Sequence, residues 1–321
     1  MKVVALAGGT GGAKLAHGLQ TVLPEGDLTV VVNIGDDTER HGLLVMPDHD
    51  ALLYMLSGRF DDERGWGQSG ETWTVMEALA EYGEEDWFRL GDRDFATHIA
   101  RTHRIREGLT LTDAVLSLQT ALGIPTRIVP MSDEPVRTQV RIDEGWIDFQ
   151  EYFVHRRQGP EVREIRSSGE NRPTDAVVEA IAAADVIVIG PSNPIVSIGP
   201  ILAGPIRDLV TERALAGAPV VAVSPIVGGV ALKGPADRML TSLGHESSAR
   251  GVARMYRGLA TAFVLDTVDA DLEPDIAALG FRTLVIDTVM ADHPGRARLA
   301  REVLEFATPA ATQPDPAGAR P

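Results

Sequence analysis

The chain has 321 residues, a formal net charge of −16 and no cysteine. The charge argues against a nucleic-acid partner, because phosphate backbones demand a basic face. The lack of cysteine excludes disulfides, thiolate metal ligands and cysteine nucleophiles. No apolar stretch approaches the ~20 residues of a membrane helix, and the N-terminus has a strand pattern rather than a signal peptide. We therefore expect a soluble, cytoplasmic protein without a membrane partner.

The first predicted element is a buried strand that ends in a glycine-rich turn. Val3 to Leu6 are aliphatic without a polar interruption, and GGTGGAK leads from them into a helical pattern. Glycine lets the backbone approach a ligand closely, and the free N–H groups of a helix start favour a phosphate. The alternative is a tight connection without a ligand, because the spacing is neither GxGxxG nor a Walker motif. The predicted phosphate cradle consists of Gly8, Gly9, Thr10, Gly11, Gly12 and Lys14.

The second predicted strand, Leu28 to Ile34, leads into four aspartates. Asp36 and Asp37 follow the strand, and Asp48 and Asp50 precede an apolar helical stretch. A single aspartate in this place would be an ordinary helix cap. Four of them beside a phosphate cradle favour Mg²⁺, which binds one or two carboxylates together with substrate phosphates.

The middle of the chain has a different pattern. Helical periodicity and then extended patterns cover Glu71 to Tyr82, Asp92 to Arg106, Thr112 to Leu122, Thr126 to Val129, Gln139 to Ile142 and Trp146 to Phe153. In the second of these helices Arg93 and Thr97 share a face at i, i+4, beside His98 and Arg101. From the spacing alone, this helix face could equally bind a ligand or serve only the packing of the fold.

The second half alternates buried strand patterns with helical stretches. The strand patterns are Asp185 to Ile189, Pro219 to Val223, Ala262 to Leu265 and Thr283 to Ile286. This alternation predicts an α/β fold, a Rossmann-like parallel sheet core with an inserted α+β cap subdomain. We assign residues 1–57 and 176–307 to the core, 58–175 to the cap and 308–321 to a disordered tail.

Loops at the carboxyl ends of such strands bind ligands. Two of the predicted loops carry Ser192 with Asn193, and Ser224. Together with the first glycine turn, they suit a ligand with a diphosphate, such as a nucleotide.

These motifs together resemble the 2-phospho-L-lactate transferase family of coenzyme F420 biosynthesis, CofD in archaea and FbiA in mycobacteria. AGGTGGAKL, VVNIGDDTERHGL, PDHDALLYML, LGDRDFATH, IGPSNPIVSIGPIL and VAVSPIVGG occur in the family's order. The resemblance implies Mg²⁺-dependent transfer of 2-phospho-L-lactate or phosphoenolpyruvate from a guanylyl diphosphate donor to the ribityl hydroxyl of the deazaflavin Fo. GMP leaves, and the product is coenzyme F420-0 or dehydro-F420-0. A homodimer is also implied, with the cap contributing to the deazaflavin pocket.

The resemblance also gives roles to matching residues. The family's Fo contacts fall on Asp50 and Arg93, and Thr97 and His98 join them in the predicted Fo site. The candidate catalytic residues are Asp50, as base, with Asp37 and Arg93. We assign the magnesium ion to Asp36, Asp37 and Asp48. The diphosphate and guanosine are assigned to Gly8, Gly9, Thr10, Gly11, Gly12, Lys14, Ser192, Asn193 and Ser224.

Two alternatives stay open. YvcK-like proteins of the same superfamily bind nucleotide sugars as regulators without catalysis, although GDRDFATH and the tryptophan-bearing insertion favour the transferase branch. A nicotinamide-dependent oxidoreductase is the other alternative, because Asp36 or Asp37 lies near the distance expected of a ribose-binding acid.

Overall fold

A seven-stranded parallel sheet organises residues 1–308, the part of the chain that the structure, a computed structural model, describes. The predicted tail therefore lies outside the described residues, apart from Thr308. The strands are β1 (Val3–Ala7), β2 (Leu28–Val32), β3 (Thr38–Arg40), β4 (Leu43–Val45), β5 (Arg127–Pro130), β6 (Arg137–Ile142), β7 (Gly145–Asp148), β8 (Glu164–Ser168), β9 (Val186–Ile189), β10 (Val220–Val223), β11 (Ile226–Val227), β12 (Val230–Ala231), β13 (Ala262–Asp266) and β14 (Arg282–Ile286).

Helices cover both faces of this sheet. They are α1 (Gly9–Val22), α2 (Pro47–Leu56), α3 (Thr74–Glu81), α4 (Asp92–Arg106), α5 (Leu111–Ala121), α6 (Asp175–Ala183), α7 (Ile198–Ile201), α8 (Pro205–Leu215), α9 (Ala236–Ser242), α10 (Ala249–Met255), α11 (Glu273–Ala278) and α12 (His293–Ala307). None of the helices within residues 1–308 has the length and apolar character needed to cross a bilayer.

The strands are continuously apolar because each contributes to two cores. Val3, Ala5 and Ala7 pack with α1, α2 and α12, whereas Val4 and Leu6 pack with α5, α6, α8 and α10. Successive side chains of a strand point to opposite faces, so a strand covered on both sides has no polar position. Helices α1 and α12 also approach each other closely, since a Cβ on Gly18 of α1 would overlap the Arg296 carbonyl of α12.

The strand order places the site. The central sheet runs β14-β13-β10-β9-β1-β2-β5, with every pair parallel. The chain progresses outward from β1 in one direction and from β9 in the other, so β1 and β9 flank the topological switch point. Ligands of doubly wound sheets bind outside the carboxyl ends of the strands at such a point. The predicted Rossmann-like parallel core is confirmed.

Three local predictions differ from the structure. Arg127–Pro130, inside the segment predicted as cap, pairs with β2 as the edge strand of the central sheet. The extended pattern from Trp146 ends at Asp148, and Glu151–His155 form a π-helical turn instead. Helix α1 begins at Gly9, so most of the glycines predicted as a turn lie inside the helix. The rest of the division into core and cap stays a prediction.

Candidate active site

The glycine-rich start of α1 lies at the switch point and is held there by two other segments. Gly8 N donates to Ser192 Oγ (3.1 Å), beyond the end of β9, and Gly9 N donates to Asp48 Oδ1 (2.5 Å). A Cβ on Gly8 would overlap Asp48 Oδ2, and one on Gly11 would overlap the Pro191 carbonyl. Glycine is needed here because the Asp48 side chain and the Pro191 backbone leave no space for a Cβ.

The same helix start is suited to an anion. Gly8 is the N-cap of α1 and supplies no side-chain cap, so the first-turn N–H groups are left to other partners. Gly9 gives its N–H to Asp48. The N–H groups of Thr10 and Gly11 lie in the same turn, where the helix dipole also favours negative charge. A phosphate group at this position would receive backbone hydrogen bonds.

Asn33, which the sequence analysis did not single out, connects the acidic residues. It is fully buried at the end of β2, and its Nδ2 donates to Asp48 Oδ2 (2.9 Å) and lies 3.5 Å from Asp36 Oδ1. Its Oδ1 accepts from Gly35 N (2.8 Å). The sequence signal was available, because Asn33 directly follows the apolar run from Val30 to Val32.

Asp36, Asp37 and Asp48 are all buried near this point. Burial, followed by the charges of Asp48 and Asp37, raises the pKa of Asp36 well above its usual value. Burial likewise raises the pKa of Asp37, and it raises the pKa of Asp48 to about 6. Among residues 1–308, Asp37 Oδ1 has no hydrogen-bond partner. The carboxylates are thus short of positive charge, which a bound cation would supply.

The predicted set of three metal ligands is not formed as one group. Within residues 1–308, no three His, Asp or Glu side chains converge closely enough to hold a metal ion. Asp36 and Asp48 form the closer pair, because both approach the Asn33 amide. Mg²⁺ needs only one or two protein carboxylates when phosphates and water complete its octahedron. The side chains therefore fit Mg²⁺ held jointly with a diphosphate.

Asp50 lies in a different environment. Its carboxylate accepts from Arg101 Nη1 (2.6 Å) and Nη2 (2.9 Å), and also from Met46 N (3.2 Å). His49 Nδ1 and His98 Nδ1 lie 3.3 and 3.5 Å from its oxygens. Burial alone would raise the pKa of Asp50, but the Arg101 guanidinium and the two imidazoles hold it well below its usual range. A carboxylate paired in this way is a poor proton acceptor, so the structure does not favour Asp50 as base.

Helix α4 divides the predicted Fo residues between two faces. His98 is buried and turns inward, with its Nδ1 2.8 Å from Arg101 Nη2. Arg93 and Thr97 instead line a cleft of about 320 Å³, together with Leu53 and Leu118 of neighbouring helices. Arg93 Nη1 donates to Ser69 O (2.8 Å) at this cleft. The set Asp50, Arg93, Thr97 and His98 is therefore not assembled around one pocket.

The other predicted diphosphate residues have separate partners. Ser192 joins the glycine start through Gly8 N, but Asn193 Oδ1 accepts from Ile195 N (2.9 Å) within its own loop. Ser224 Oγ likewise donates to Ile226 O (2.9 Å). Lys14 Nζ donates to Met290 O (3.1 Å), beyond the end of β14. Of these four, only Ser192 contacts the glycine start directly.

Known proteins with similar sequences cover almost the whole chain. A phosphoenolpyruvate transferase of Streptomyces griseus is 44% identical over 316 residues, covering 96% of this chain and 98% of the relative. A 2-phospho-L-lactate transferase of Methanosarcina mazei is 40% identical over 306 residues, covering 94% and 99%.

Two further comparisons concern the fold and the family. A crystal structure of a UPF0052 family member from Bacillus halodurans superposes with a TM-score of 0.65 at 16% identity, covering 94% of this chain and 98% of that one. At this identity the likeness shows the fold alone. The sequence model of 2-phospho-L-lactate transferase CofD matches residues 3–294. The glycine start, the acidic residues and the loop of Ser192 all fall inside that match, and the chain belongs to the CofD family of 2-phospho-L-lactate transferases.

Proposed function

We propose that this chain transfers 2-phospho-L-lactate or phosphoenolpyruvate from a guanylyl diphosphate donor to the ribityl hydroxyl of the deazaflavin Fo, in coenzyme F420 biosynthesis. The observation that carries the proposal is the placement of buried Asp48 against the glycine start of α1 at the switch point, with buried Asp36 beside it through Asn33 and buried Asp37 next in the chain. Phosphoryl transfer asks a protein chiefly for positioning and charge neutralisation. A phosphate-binding helix start beside under-neutralised carboxylates supports both requirements.

The donor diphosphate would lie on the N–H groups of Thr10 and Gly11. Asp36 and Asp48 would hold Mg²⁺, with Asn33 fixing the two carboxylates relative to each other. When bound, the ion would neutralise negative charge on the diphosphate. The Gly9 N–H, which donates to Asp48, keeps this carboxylate next to the phosphate-binding turn.

Asp37 is the better candidate for the base. Its Oδ1 is buried and free of a hydrogen-bond partner within residues 1–308, so it can accept from a ribityl hydroxyl. The hydroxyl oxygen would form a bond to the phosphorus that carries the three-carbon acid. The bond from this phosphorus to the oxygen it shares with GMP would break, and the hydroxyl proton would pass to Asp37. Dehydro-F420-0 or F420-0 and GMP would be the products.

The acceptor would approach from the side of α4. Arg93 and Thr97, in the cleft beside Leu53, would contact Fo. Asp50 would act by holding α4 against α2 through Arg101, rather than by taking the proton. From the family we also infer a cytoplasmic homodimer, which light scattering on the purified protein would test.

The direct test is incubation with Fo, Mg²⁺ and each guanylyl donor, followed by mass spectrometry. We expect GMP and one F420-0 product, and the preferred donor identifies the three-carbon acid. The Asp37→Asn protein serves as the matched variant, since it has the same size and lacks the proton-accepting charge. Absence of product with every donor, together with binding of a nucleotide sugar, would replace this proposal with a regulatory function.

A further inference from the structure

A group of cationic side chains lies beside the proposed donor site. Lys14 of α1, Lys233 in the loop after β12 and Arg296 of α12 bring three cationic side chains together at this place. Burial, and then the positive charges of Arg296 and Lys233, lower the pKa of Lys14, so the three groups act on one another. The rings of His17 and His293 lie against each other nearby, with centroids 4.6 Å apart. In a chain of net charge −16, such a concentration of positive charge requires an explanation.

The cations are only partly neutralised. Among residues 1–308, the acidic side chain that pairs with this group is Asp62, which bonds Arg296 Nη2 and lies 3.6 Å from His293 Nε2. Arg296 is 1% exposed, yet its Nε has no hydrogen-bond partner in the described part of the chain. Buried His17 Nδ1 also lacks one there. An unpartnered buried guanidinium donor such as Arg296 Nε, beside excess positive charge, is suited to an oxyanion.

The position connects this group with the glycine start. Lys14 is on the second turn of α1, the helix that begins at Gly9. Lys233 follows the short hairpin after β10, and Arg296 is in the first turn of α12, after β14. All three elements leave the carboxyl edge of the sheet, where the acidic residues also lie.

The loop of Asp62 touches the group at a second point. A Cβ on Gly65 would overlap Lys233 Nζ, so this loop runs directly against the lysine. Gly65 also has a positive φ of 80°, which a residue with a side chain rarely adopts. The loop therefore brings an internal carboxylate to the cations and stays in contact with one of them.

We propose that Lys14, Lys233 and Arg296 form an oxyanion site for the donor, and that Asp62 competes with the donor for Arg296. The inference rests on the proposed function, because a guanylyl donor carries two kinds of oxyanion, its phosphates and the carboxylate of the three-carbon acid. Either would be attracted by the cations, and displacement of Asp62 would free the Arg296 guanidinium. The family assignment and the acidic site do not require this group.

The test measures binding by calorimetry, without Fo, for GDP and for the enolpyruvyl guanylyl donor. Lys233→Met should weaken binding by about tenfold, the usual effect of one charged hydrogen bond. Asp62→Asn should tighten binding several-fold, because it removes the competing charge while keeping the shape of the side chain. Lys2→Met and Glu81→Gln change the net charge by the same amounts at exposed positions elsewhere and should leave both affinities unaltered.

The two ligands identify the oxyanion. Equal effects on GDP and on the donor indicate a phosphate, and effects on the donor alone indicate the carboxylate. The proposed site requires that Lys233→Met weakens ligand binding and that Asp62→Asn tightens it, and any other pattern overturns it. An unsubstituted chain that binds neither GDP nor the donor also overturns it. Because turnover is not the readout, a protein that binds as expected but forms no product would contradict only the transferase proposal.

Discussion

Two groups of aspartates from one stretch of sequence show opposite electrostatics. Asp36, Asp37 and Asp48 lie buried with too little positive charge, and their pKa values are raised. Asp50, two residues beyond Asp48, is buried just as deeply but has Arg101 against both oxygens, and its pKa is lowered. Burial alone does not decide what a carboxylate does. The partner charge decides whether it awaits a ligand or holds the fold together.

The largest expected effect concerns the unpaired carboxylates. Asp37→Asn should lower kcat by about a thousandfold, since general-base assistance commonly contributes 10²–10⁴-fold. The variant should be at least as stable as the original chain, because a neutral amide costs less to bury than an unpaired carboxylate. Steady-state kinetics with Fo and the preferred donor, alongside thermal unfolding, would check both expectations. Unchanged turnover would exclude Asp37 as the base.

The paired carboxylate should respond in the opposite way. Arg101→Met leaves Asp50 buried without its partner and should cost about 3–5 kcal/mol in the free energy of unfolding. Arg104→Met, on the same helix, is the matched control and should cost far less. Urea denaturation measures both variants. The double variant Asp50→Asn with Arg101→Met should regain part of the lost stability. Equal stability of Arg101→Met and Arg104→Met would contradict the comparison.

Acidification should lower the stability of the fold through His98 and raise it through Asp48. Burial lowers the pKa of His98, beside Asp50, to about 4, below the unfolded value of about 6.5. Its contribution to stability is present above pH 6.5 and is lost as the pH falls towards 4, by at most about 3 kcal/mol. Asp48, with a raised pKa of about 6, instead destabilises the fold at neutral pH and is relieved as the pH falls.

These contributions can be separated by variants. The free energy of unfolding of His98→Asn should fall less than that of the original chain between pH 6.5 and 4. His103→Asn, on the same helix, should follow the original chain. Asp48→Asn should remove the gain on acidification. If the free energy of unfolding changed with pH in the same way in the original chain and in all three variants, neither His98 nor Asp48 would behave as the structure indicates.

The smallest expected effect concerns Asn33. Asn33→Ala removes the amide between Asp36 and Asp48 and should weaken Mg²⁺ binding by about 10–100-fold, as is typical for residues that orient metal ligands. The Mg²⁺ dependence of GDP binding, followed by calorimetry, would measure it. Asn171→Ala, which also removes a partly buried amide but far from the acidic residues in sequence and contacts, is the control. Equal Mg²⁺ dependence in the two variants would remove Asn33 from the site.

Sequence patterns predicted the elements of this fold well where periodicity was strong. The predicted helix from Asp92 to Arg106 matches α4 at both ends. The parallel sheet was also predictable. Because carboxyl ends of parallel strands share an edge, the segment after β2, which carries Asp48, could be expected near the glycine start. The edge strand β5 was misplaced in the cap because its pattern of four residues does not show which sheet it joins.

Partners between distant segments were not predictable. Asp50 and Arg101 are 51 residues apart, and only the packing of α4 against β4 and α5 brings them together. The i, i+4 spacing of Arg93 and Thr97 correctly predicted a shared face. It could not show that His98, one residue further on, is buried outside the cleft that Arg93 and Thr97 line. For the same reason the sequence could not show that Asp50 is paired with Arg101, and its assignment as base stays a prediction.

The close approach of Gly18 to the Arg296 carbonyl has a consequence for biosynthesis. Leu15 and Leu19 of α1 share their apolar contacts with Leu299 and Val303 of α12, the last described helix. During translation these leucines emerge from the ribosome long before their counterparts exist. The side of α1 that faces α12 therefore stays uncovered until α12 has been synthesised, and the glycine-rich start of α1 acquires its support from α12 only then.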